Sequence, residues 1–322
     1  MAFSKILVAL SRTDTLEQPA LKRALTLRNG AKLELLRCVY EPNLEGSPLV
    51  TREEDYIDVR DALVHEAANG LRDIVDELRK RGETVDATVV WDYPVYQGII
   101  RRALATNADL VVSESLRAIG PRRLSSADWD LVLNCPVPLL MVKSDGTAAY
   151  GHVAAAVDPF HTRAKPAALD EVIVAEAADA ARTFGARFSA VHCVVPFAQI
   201  VPFEREGKRP PAEAEANLID TSREAVARLL AKHGVDAQAA RILRGPPGRM
   251  LPEFVEREGV GLLTMGALSR AQMADLVIGS TAAEVLDNVE CDLLIVKPPR
   301  FFETVAARIR KEPLTEPLFY PF

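Results

Sequence analysis

The sequence predicts two tandem α/β domains, each built around an open sheet of five parallel strands. Three observations support this prediction. The chain of 322 residues is long enough for two domains of ordinary size. Short continuous apolar runs alternate with longer stretches of helical periodicity, which is typical of a parallel sheet covered on both faces. An internal repeat shows that the same fold is expected twice.

The internal repeat is clearest in two pairs of apolar segments. Gly30–Val39 matches Gly185–Val194, and both segments end in Cys-Val. Cys135–Lys143 resembles Cys291–Lys297 in the same way. Because the two pairs keep their order along the chain, the sequence predicts two copies of one domain.

Each copy contains five apolar runs that predict buried strands. In the first copy these runs are Ile6–Leu10, Leu33–Val39, Thr84–Trp91, Leu110–Ser113 and Leu139–Val142. In the second copy the strands are expected near 152–157, 187–194, 236–243, 261–265 and 292–296. Ligands of such sheets bind beyond the carboxyl ends of the strands, so that edge is where a site is expected.

Apolar residues at helical spacing predict the helices between these strands. The longest stripe consists of Val59, Leu63, Ala67, Leu71, Ile74 and Leu78. Shorter stripes consist of Leu21, Ala24 and Leu25 in the first copy and Leu251, Phe254 and Val255, after Gly248, in the second.

A short polar stretch, Ser144–Ala149, is the expected joint between the copies. It sets the predicted domains at 1–146 and 147–300, with a tail at 301–322. A linker this short keeps two domains packed together rather than loosely tethered.

The last predicted strand of each copy ends at a sheet edge, at Lys143 and at Lys297. Apolar edges are usually paired or covered, so these edges are expected to face each other in an intrachain pseudo-dimer. Pairing of two chains into a homodimer is left open. The tail has a predicted helix near 302–310 and an apolar end, and both a disordered tail and one lying against a domain surface are left open.

Composition narrows the class of protein. A formal net charge of −6 without a basic stripe argues against a general nucleic-acid binder. The apolar run Ile6–Leu10 is far shorter than the ~20 residues of a membrane helix, and no signal-peptide pattern precedes it, so a cytoplasmic protein without a membrane partner is expected. No Cys-x-x-Cys spacing occurs, and His192 and Cys193 point to opposite faces of a strand, so reduced thiols and no metal site are expected.

The segment Leu262–Thr281 suggests a phosphate-binding loop that follows a buried strand. Gly266 allows the backbone to approach an anion, and Gly279, Ser280 and Thr281 offer amides and hydroxyls where a helix begins. Helix N-termini attract anions.

The repeat and these residues together resemble the universal stress protein family, most closely its tandem-domain members of the UspE type. The resemblance runs from Lys5 to Pro298. It rests on Asp158 at the end of a strand, on the His-Cys pair of the next strand, and on the pattern Gly266-x-x-Ser269-x9-Gly279-Ser280.

The resemblance implies a Rossmann-like, adenine nucleotide alpha-hydrolase-like fold and a second domain that binds ATP or a related adenine nucleotide, with or without Mg²⁺. It places adenosine and phosphate contacts at Ala156, Val157, Asp158, Cys193, Met265, Gly266, Ser269, Gly279, Ser280 and Thr281. Ser269 departs from the family pattern, which has a second glycine there, and serine loses ready access to positive φ.

The first copy lacks the same pattern. Ser11 replaces the strand-end aspartate, Glu114 and Arg117 replace the two glycines of the loop, and Ala127-Asp128 replaces Gly-Ser. A carboxylate near a triphosphate is repulsive, by about 1 kcal/mol at 4 Å in water. The first domain is therefore not expected to bind ATP in this mode.

Structural roles compete with each of these site assignments. Thr281-Ala-Ala-Glu284 fits a helix capping box, the two glycines fit ordinary turns, and Asp158-Pro159 fits a turn start.

Three functional hypotheses remain. The first is a stress-response binding protein that senses adenine nucleotide, and the second is an interaction or apolar-ligand module that binds none. The third is a slow ATPase; no catalytic residue can be assigned from spacing, so a dedicated enzyme is not expected.

Overall fold

This computed structural model describes residues 3–44, 52–115, 124–160, 169–196, 212–267, 280–298, 301 and 319–321. The chain forms two units. The first is built mainly from the residues before Ala149 together with the strand at Phe319–Pro321, and the second from Ala149–Pro299. The predicted fold class, two tandem α/β domains with mostly parallel sheets, is confirmed.

The first unit contains five parallel strands and one antiparallel strand. They are β1 (Lys5–Ala9), β2 (Lys32–Val39), β3 (Val85–Trp91), β4 (Leu110–Glu114), β5 (Leu139–Val142) and the antiparallel β11 (Phe319–Pro321). Their order across the sheet is β11-β3-β2-β1-β4-β5. The five predicted strands are therefore present, and each lies within a residue of its expected bounds.

The helices of the first unit are α1 (Pro19–Leu27), α2 (Glu53–Lys80), α3 (Val95–Thr106) and α4 (Ser126–Asn134). The predicted stripe of α2 is buried at its carboxyl end, where Leu71 and Leu78 are inaccessible to solvent, but Val59 is 42% exposed. A helix of 28 residues is about 42 Å long, whereas the seven residues of β3 span about 23 Å. The first turns of α2 therefore have too little sheet to cover.

The second unit contains five parallel strands in the order β10-β9-β6-β7-β8. They are β6 (His152–Ala156), β7 (Arg187–Val194), β8 (Ala240–Arg244), β9 (Leu262–Gly266) and β10 (Asp292–Val296). Its helices are α5 (Leu169–Phe184), α6 (Ala212–Ala231), α7 (Pro247–Glu258) and α8 (Ser280–Asn288).

One predicted strand starts later than expected. The sequence predicts a strand over 236–243, but residues Ala237–Ala239 form a 3₁₀ turn and β8 begins at Ala240. The Asp236 carboxylate accepts a hydrogen bond from the backbone N–H of Gln238 at 2.7 Å. An aspartate that bonds the backbone two residues on favours a turn over a strand.

Buried, hydrogen-bonded polar side chains lie at the amino ends of the strands in the second unit. The Tyr150 hydroxyl donates to the Asp292 carboxylate at 2.7 Å, and both side chains are buried. Burial without a partner would cost each group several kcal/mol, so the pair ties the start of the unit to β10. The Tyr150 ring also packs edge-on against Phe184, with centroids 5.0 Å apart.

His152 lies in the same buried layer, at the start of β6. Its Nδ1 accepts from the Arg187 guanidinium at 2.9 Å, and its Nε2–H donates to the Ser189 hydroxyl at 3.0 Å. Burial lowers the pKa of His152 from its ordinary value, and the neighbouring Arg187 acts in the same direction. The ring is therefore neutral in the folded protein at pH 7.

The described residues lack two features. None of their helices combines the length and the apolar content that a membrane crossing requires. No group of three or more His, Cys, Asp or Glu residues among them could hold a metal ion.

His152 should make stability depend on pH. The folded state binds a proton at this ring less readily than the unfolded state, whose histidines titrate near pH 6.5. Stability is therefore expected to fall as pH drops below about 6.5. His152→Gln should be less stable at pH 7.5 but should lose less stability between pH 7.5 and 5.5, as measured by urea unfolding.

His65→Gln is the matched control, since His65 lies on the exposed face of α2. The His152→Gln variant should flatten the pH dependence of the urea midpoint more than this control does. An equal flattening in both variants would contradict the assignment to His152.

Candidate functional site

The candidate site lies at the carboxyl edge of the second unit, where β6 and β9 end side by side. Ala155 of β6 pairs with Thr264 of β9. The next residues of each strand, Ala156 and Met265, are therefore neighbours, and Gly266 follows at the end of β9. Three of the residues that the sequence predicted for the site are brought together by this register.

The end of β7 completes this row of strand ends. The Val157 N–H donates to the Val191 carbonyl at 2.9 Å, which continues the pairing of β6 with β7 beyond the end of β6. Burial, together with the smaller effect of the negative charge of Asp158, raises the pKa of the Cys193 thiol to about 12. This electrostatic interaction places Cys193 and Asp158 at the same corner of the edge.

Asp158 occupies a turn directly after β6. Its Oδ1 accepts from the Phe160 N–H at 3.4 Å, and its own N–H donates to the Asp170 carboxylate at 3.1 Å. His192 lies beneath the turn, with its Nδ1–H donating to the Val157 carbonyl at 3.1 Å. The turn role that the sequence left open is thus present. About a third of the Asp158 side chain still faces solvent, at 35% exposure.

Gly266 has a packing reason to lack a side chain. A methyl group built on Gly266 would lie 2.7 Å from the Cδ2 atom of Leu169, the first residue of α5. Such a contact is closer than carbon atoms tolerate, so a side chain at position 266 would force the Leu169 side chain to shift. Sequence reasoning missed this role because Leu169 lies far from Gly266 along the chain.

The N-terminus of α8 lies at the same edge, because the helix connects β9 to its parallel neighbour β10. Thr281 is exposed in its first turn, and that turn contains no acidic residue. The predicted phosphate contacts Ser269 and Gly279 lie outside the described residues. Ser280 begins the helix, but only its backbone is described.

The capping box suggested by Thr281 and Glu284 is not present. The helix begins at Ser280, so Thr281 is its second residue rather than its cap. The Glu284 side chain is turned towards α7, where a methyl group on Gly248 would lie 1.9 Å from Glu284 Oε2. The carboxylate thus lies at the N-terminus of α7, where a negative charge is favourable. The absence of a side chain on Gly248 leaves room for it.

The equivalent edge of the first unit is filled by the chain's own side chains. The Arg37 guanidinium donates to the carbonyls of Leu10, at 3.2 Å, and of Ser11. Burial lowers the pKa of Arg37 from its ordinary value. The Gln18 side chain, which is almost completely buried, accepts from the Arg12 N–H at 3.1 Å and closes the turn after β1.

A carboxylate also occupies the N-terminus of α4. Ser125 and Asp128 form a reciprocal capping box, with Asp128 Oδ2 accepting from the Ser125 N–H at 3.0 Å and Ser125 Oγ accepting from the Asp128 N–H at 3.2 Å. Asp128 is buried. The helix start that corresponds to α8 therefore carries its own negative charge.

Arg37 and His192 are structural counterparts, a correspondence that the sequence analysis did not draw. Each lies two residues before the end of its strand. Each donates a hydrogen bond to a backbone carbonyl just after the end of the neighbouring strand. The alignment of Gly30 with Gly185 already places Arg37 opposite His192. The signal was present in the repeat, but only the structure shows what the two side chains do.

Comparisons with known proteins agree with the internal repeat. The model of the Universal stress protein family matches residues 2–143 and again residues 149–297. Two curated relatives are named Universal stress protein E: one from Escherichia coli K12 is 26% identical over 306 residues, and one from Salmonella typhi is 25% identical over 300 residues. Each alignment covers 88% of this chain and 91% of the relative.

Two solved structures have a similar fold. A protein from Pseudomonas aeruginosa PAO1, described as functionally unknown, has a TM-score of 0.73 and 25% identity, and the match covers 97% of this chain and 98% of that one. A universal stress protein from Archaeoglobus fulgidus has a TM-score of 0.59 at 15% identity, with 91% and 98% of the two chains covered. The latter comparison concerns the fold alone.

The raised pKa of Cys193 predicts a slow thiol at the candidate site. Only the thiolate reacts with iodoacetamide, and a thiol with a pKa of about 12 is almost fully protonated at pH 8. Native Cys193 should be alkylated at least about a hundredfold more slowly than cysteine in the urea-unfolded chain, as followed by mass spectrometry of tryptic peptides. Alkylation of native Cys193 at the unfolded rate would contradict the buried position of its sulfur.

Proposed function

The chain belongs to the universal stress protein family, and from that premise we propose that its second unit binds ATP or a related adenine nucleotide. The relatives named Universal stress protein E support a role in the stress response. In the proposed role the protein acts by binding and regulation, and the nucleotide is its signal.

The observation that carries this proposal is the charge at the helix starts of the second unit. The first turn of α5 contains Asp170 and Glu171, and the start of α7 faces Glu284. The first turn of α8 contains no acidic residue. Of the starts of α5, α7 and α8, that of α8 is thus the one that can accept a phosphate without carboxylate repulsion.

The neighbouring strand ends suit the nucleoside. Val157 and Met265 are almost completely buried and provide an apolar floor, while the partly exposed Asp158 offers a carboxylate. A flat base packs on apolar side chains, and a carboxylate accepts hydrogen bonds from ribose hydroxyls. The proposed contacts on this side are those two residues with Ala156, Cys193 and Asp158.

The phosphate side of the proposed site continues into the loop before α8. We place phosphate contacts at Gly266, Ser269, Gly279, Ser280 and Thr281, of which Gly266 and Thr281 are fully described. A serine at position 269 still offers a backbone N–H and a hydroxyl, both of which can donate to phosphate oxygens. Mg²⁺ would bridge the phosphates if the bound nucleotide carries it.

The first unit has a structural role in this proposal. Arg37 covers the carbonyls after β1, Asp128 occupies the start of α4, and Glu114 ends β4. With these groups in place, a phosphate would meet neither a helix start without a carboxylate nor a strand end without a charge. The asymmetry between the two halves therefore follows from charge, although their backbones share one design.

Binding, rather than catalysis, is the proposed activity. The Cys193 thiol has a pKa of about 12 and is a poor nucleophile, and the Nδ1–H of His192 is engaged by the Val157 carbonyl. Slow hydrolysis of ATP is the alternative that the same site would allow, because bound Mg²⁺ and water need few protein groups.

Thr281→Glu tests the phosphate side without disturbing the fold. An acidic residue in the first turn of a helix stabilises the helix by about 0.3–1 kcal/mol, so the melting temperature should stay the same or rise. The same charge repels a phosphate by about 1–4 kcal/mol at 4 Å. ATP affinity should therefore fall at least about fivefold, as measured by calorimetry on protein stripped of ligand, with and without Mg²⁺.

Thr281→Gln is the matched control, because it has the same size as the glutamate variant without its charge. It should keep ATP affinity within about threefold of the parent. In the first unit, Glu114→Ala should leave affinity unchanged. Absence of ATP, ADP and AMP binding to the parent protein would refute the proposal and favour the apolar-ligand or interaction module. An equal loss in Glu114→Ala would refute the asymmetry.

Asp158→Ala tests the nucleoside side. Loss of a hydrogen bond to a charged group costs about 1.5–3 kcal/mol, so affinity for ATP, ADP and AMP should fall together by about 10- to 100-fold. Asp158→Asn keeps an oxygen for the turn to Phe160 and should fold like the parent. If only ATP binding weakened and AMP binding did not, Asp158 would be a phosphate-side residue and the proposed orientation would be wrong.

A further inference from the structure

The first unit has one strand that is remote in sequence from the others. Strand β11 pairs antiparallel with β3, in the register Phe319 to Val90, Tyr320 to Val89 and Pro321 to Thr88. All other strand pairs of this unit are parallel. The segment therefore forms an additional strand on an edge that the repeated fold would otherwise leave open.

The edge strand β3 has little protection of its own. Its sequence, Val-Asp-Ala-Thr-Val-Val-Trp, contains one charged residue, and Val89 and Val90 are buried. A seven-residue apolar strand with unpaired N–H and C=O groups is a template for any extended segment. Natural edges of this kind are covered, bulged or charged.

The corresponding edge strand of the second unit, β8, is protected against further strand pairing in a different way. In β8, which has the sequence Ala-Arg-Ile-Leu-Arg, two of the five residues are arginines, and no residue is fully buried. Among the described residues β8 pairs only with β7. Positive charge at both ends of this short strand opposes the addition of another strand. The second unit thus protects its edge by sequence, and the first does so by a cover.

The cover itself makes a poor new edge. Strand β11 has three residues, and Pro321 has no backbone N–H. Only Phe319 and Tyr320 can donate from this strand, so few groups remain to pair with a further chain. A short strand that ends in proline therefore stops the growth of the sheet, whereas β3 alone would permit it.

We propose that the outer edge of β3 is a docking site for one extended peptide segment, and that Phe319–Pro321 of the same chain is its resident occupant. The occupant is recognised by backbone hydrogen bonds in antiparallel register. Its aromatic-aromatic-proline sequence suits an edge strand that must not be extended. The site is of the strand-addition type, in which the main chain supplies the affinity.

The tether explains why the resident segment outcompetes others. A segment that belongs to the same chain as its docking site has an effective concentration of about a millimolar. A free peptide of the same sequence with a dissociation constant of about 100 micromolar or less is then weakened by at least about tenfold. Weakening the resident strand should therefore expose the site to a peptide added in solution.

The experiment uses the full chain with Phe319→Pro and Tyr320→Pro together. This variant removes both remaining N–H donors of β11. The probe is a fluorescent synthetic peptide with the sequence of residues 315–322. It should bind the double-proline variant with one-to-one stoichiometry and at least about tenfold more tightly than it binds the unmodified chain.

The matched control replaces the same two residues by valine, which keeps both N–H groups and favours a strand. The valine variant should bind the peptide as weakly as the unmodified chain does. Equal binding to all three proteins, or binding to none of them, overturns the proposal. A peptide with the same two prolines should not bind the double-proline variant, and binding of this peptide would also overturn the proposal.

Hydrogen exchange on the unmodified chain gives a readout that needs no variant. Amides of β3 between Thr88 and Val90 that face β11 should exchange slowly, and they should be faster in the double-proline variant. Adding the peptide to that variant should slow them again. Exchange of these amides at the rate of solvent-exposed peptide in the unmodified chain would overturn the proposal.

Discussion

The constraint on which the structure depends is that parallel strands need partners on both sides and helices on both faces. The connection between two parallel strands must cross back over the sheet. The carboxyl ends of all parallel strands of a unit therefore lie at the same edge. This geometry gathers Val157, Cys193 and Gly266 from three separate segments of the sequence. It also leaves β3 and β8 with outer backbone N–H and C=O groups that no further parallel strand of the unit pairs.

The two copies share a scaffold but differ in the charges placed on it. Two residues before the strand end, Arg37 in one copy and His192 in the other donate to the same kind of carbonyl. At the last helix start, α4 has a buried Asp128 and α8 has no acid in its first turn. A cation and an anion of the chain itself satisfy backbone groups at the first edge, whereas the first turn of α8 contains no acidic residue.

Much of the fold could be predicted from the sequence, because strand and helix periodicity are local properties. Prediction fails where the role of a residue depends on a contact with a residue far away along the chain. Nothing near Gly266 reveals Leu169, and nothing near Glu284 reveals Gly248. The three residues of β11 are too few for a periodic signal, and Val59 is apolar yet extends past its sheet. For the site, sequence identified the strand-end residues, and structure added the helix-start charges that distinguish the copies.

The contact between Gly248 and Glu284 also bears on how such a chain can change by mutation. A methyl group on Gly248 would lie 1.9 Å from Glu284 Oε2 and 2.9 Å from its Cβ, so a side chain at Gly248 would require Glu284 to move. Mutational drift at these two positions is therefore coupled. A lineage can gain a side chain at Gly248 only if the side chain at position 284 becomes shorter or takes another direction.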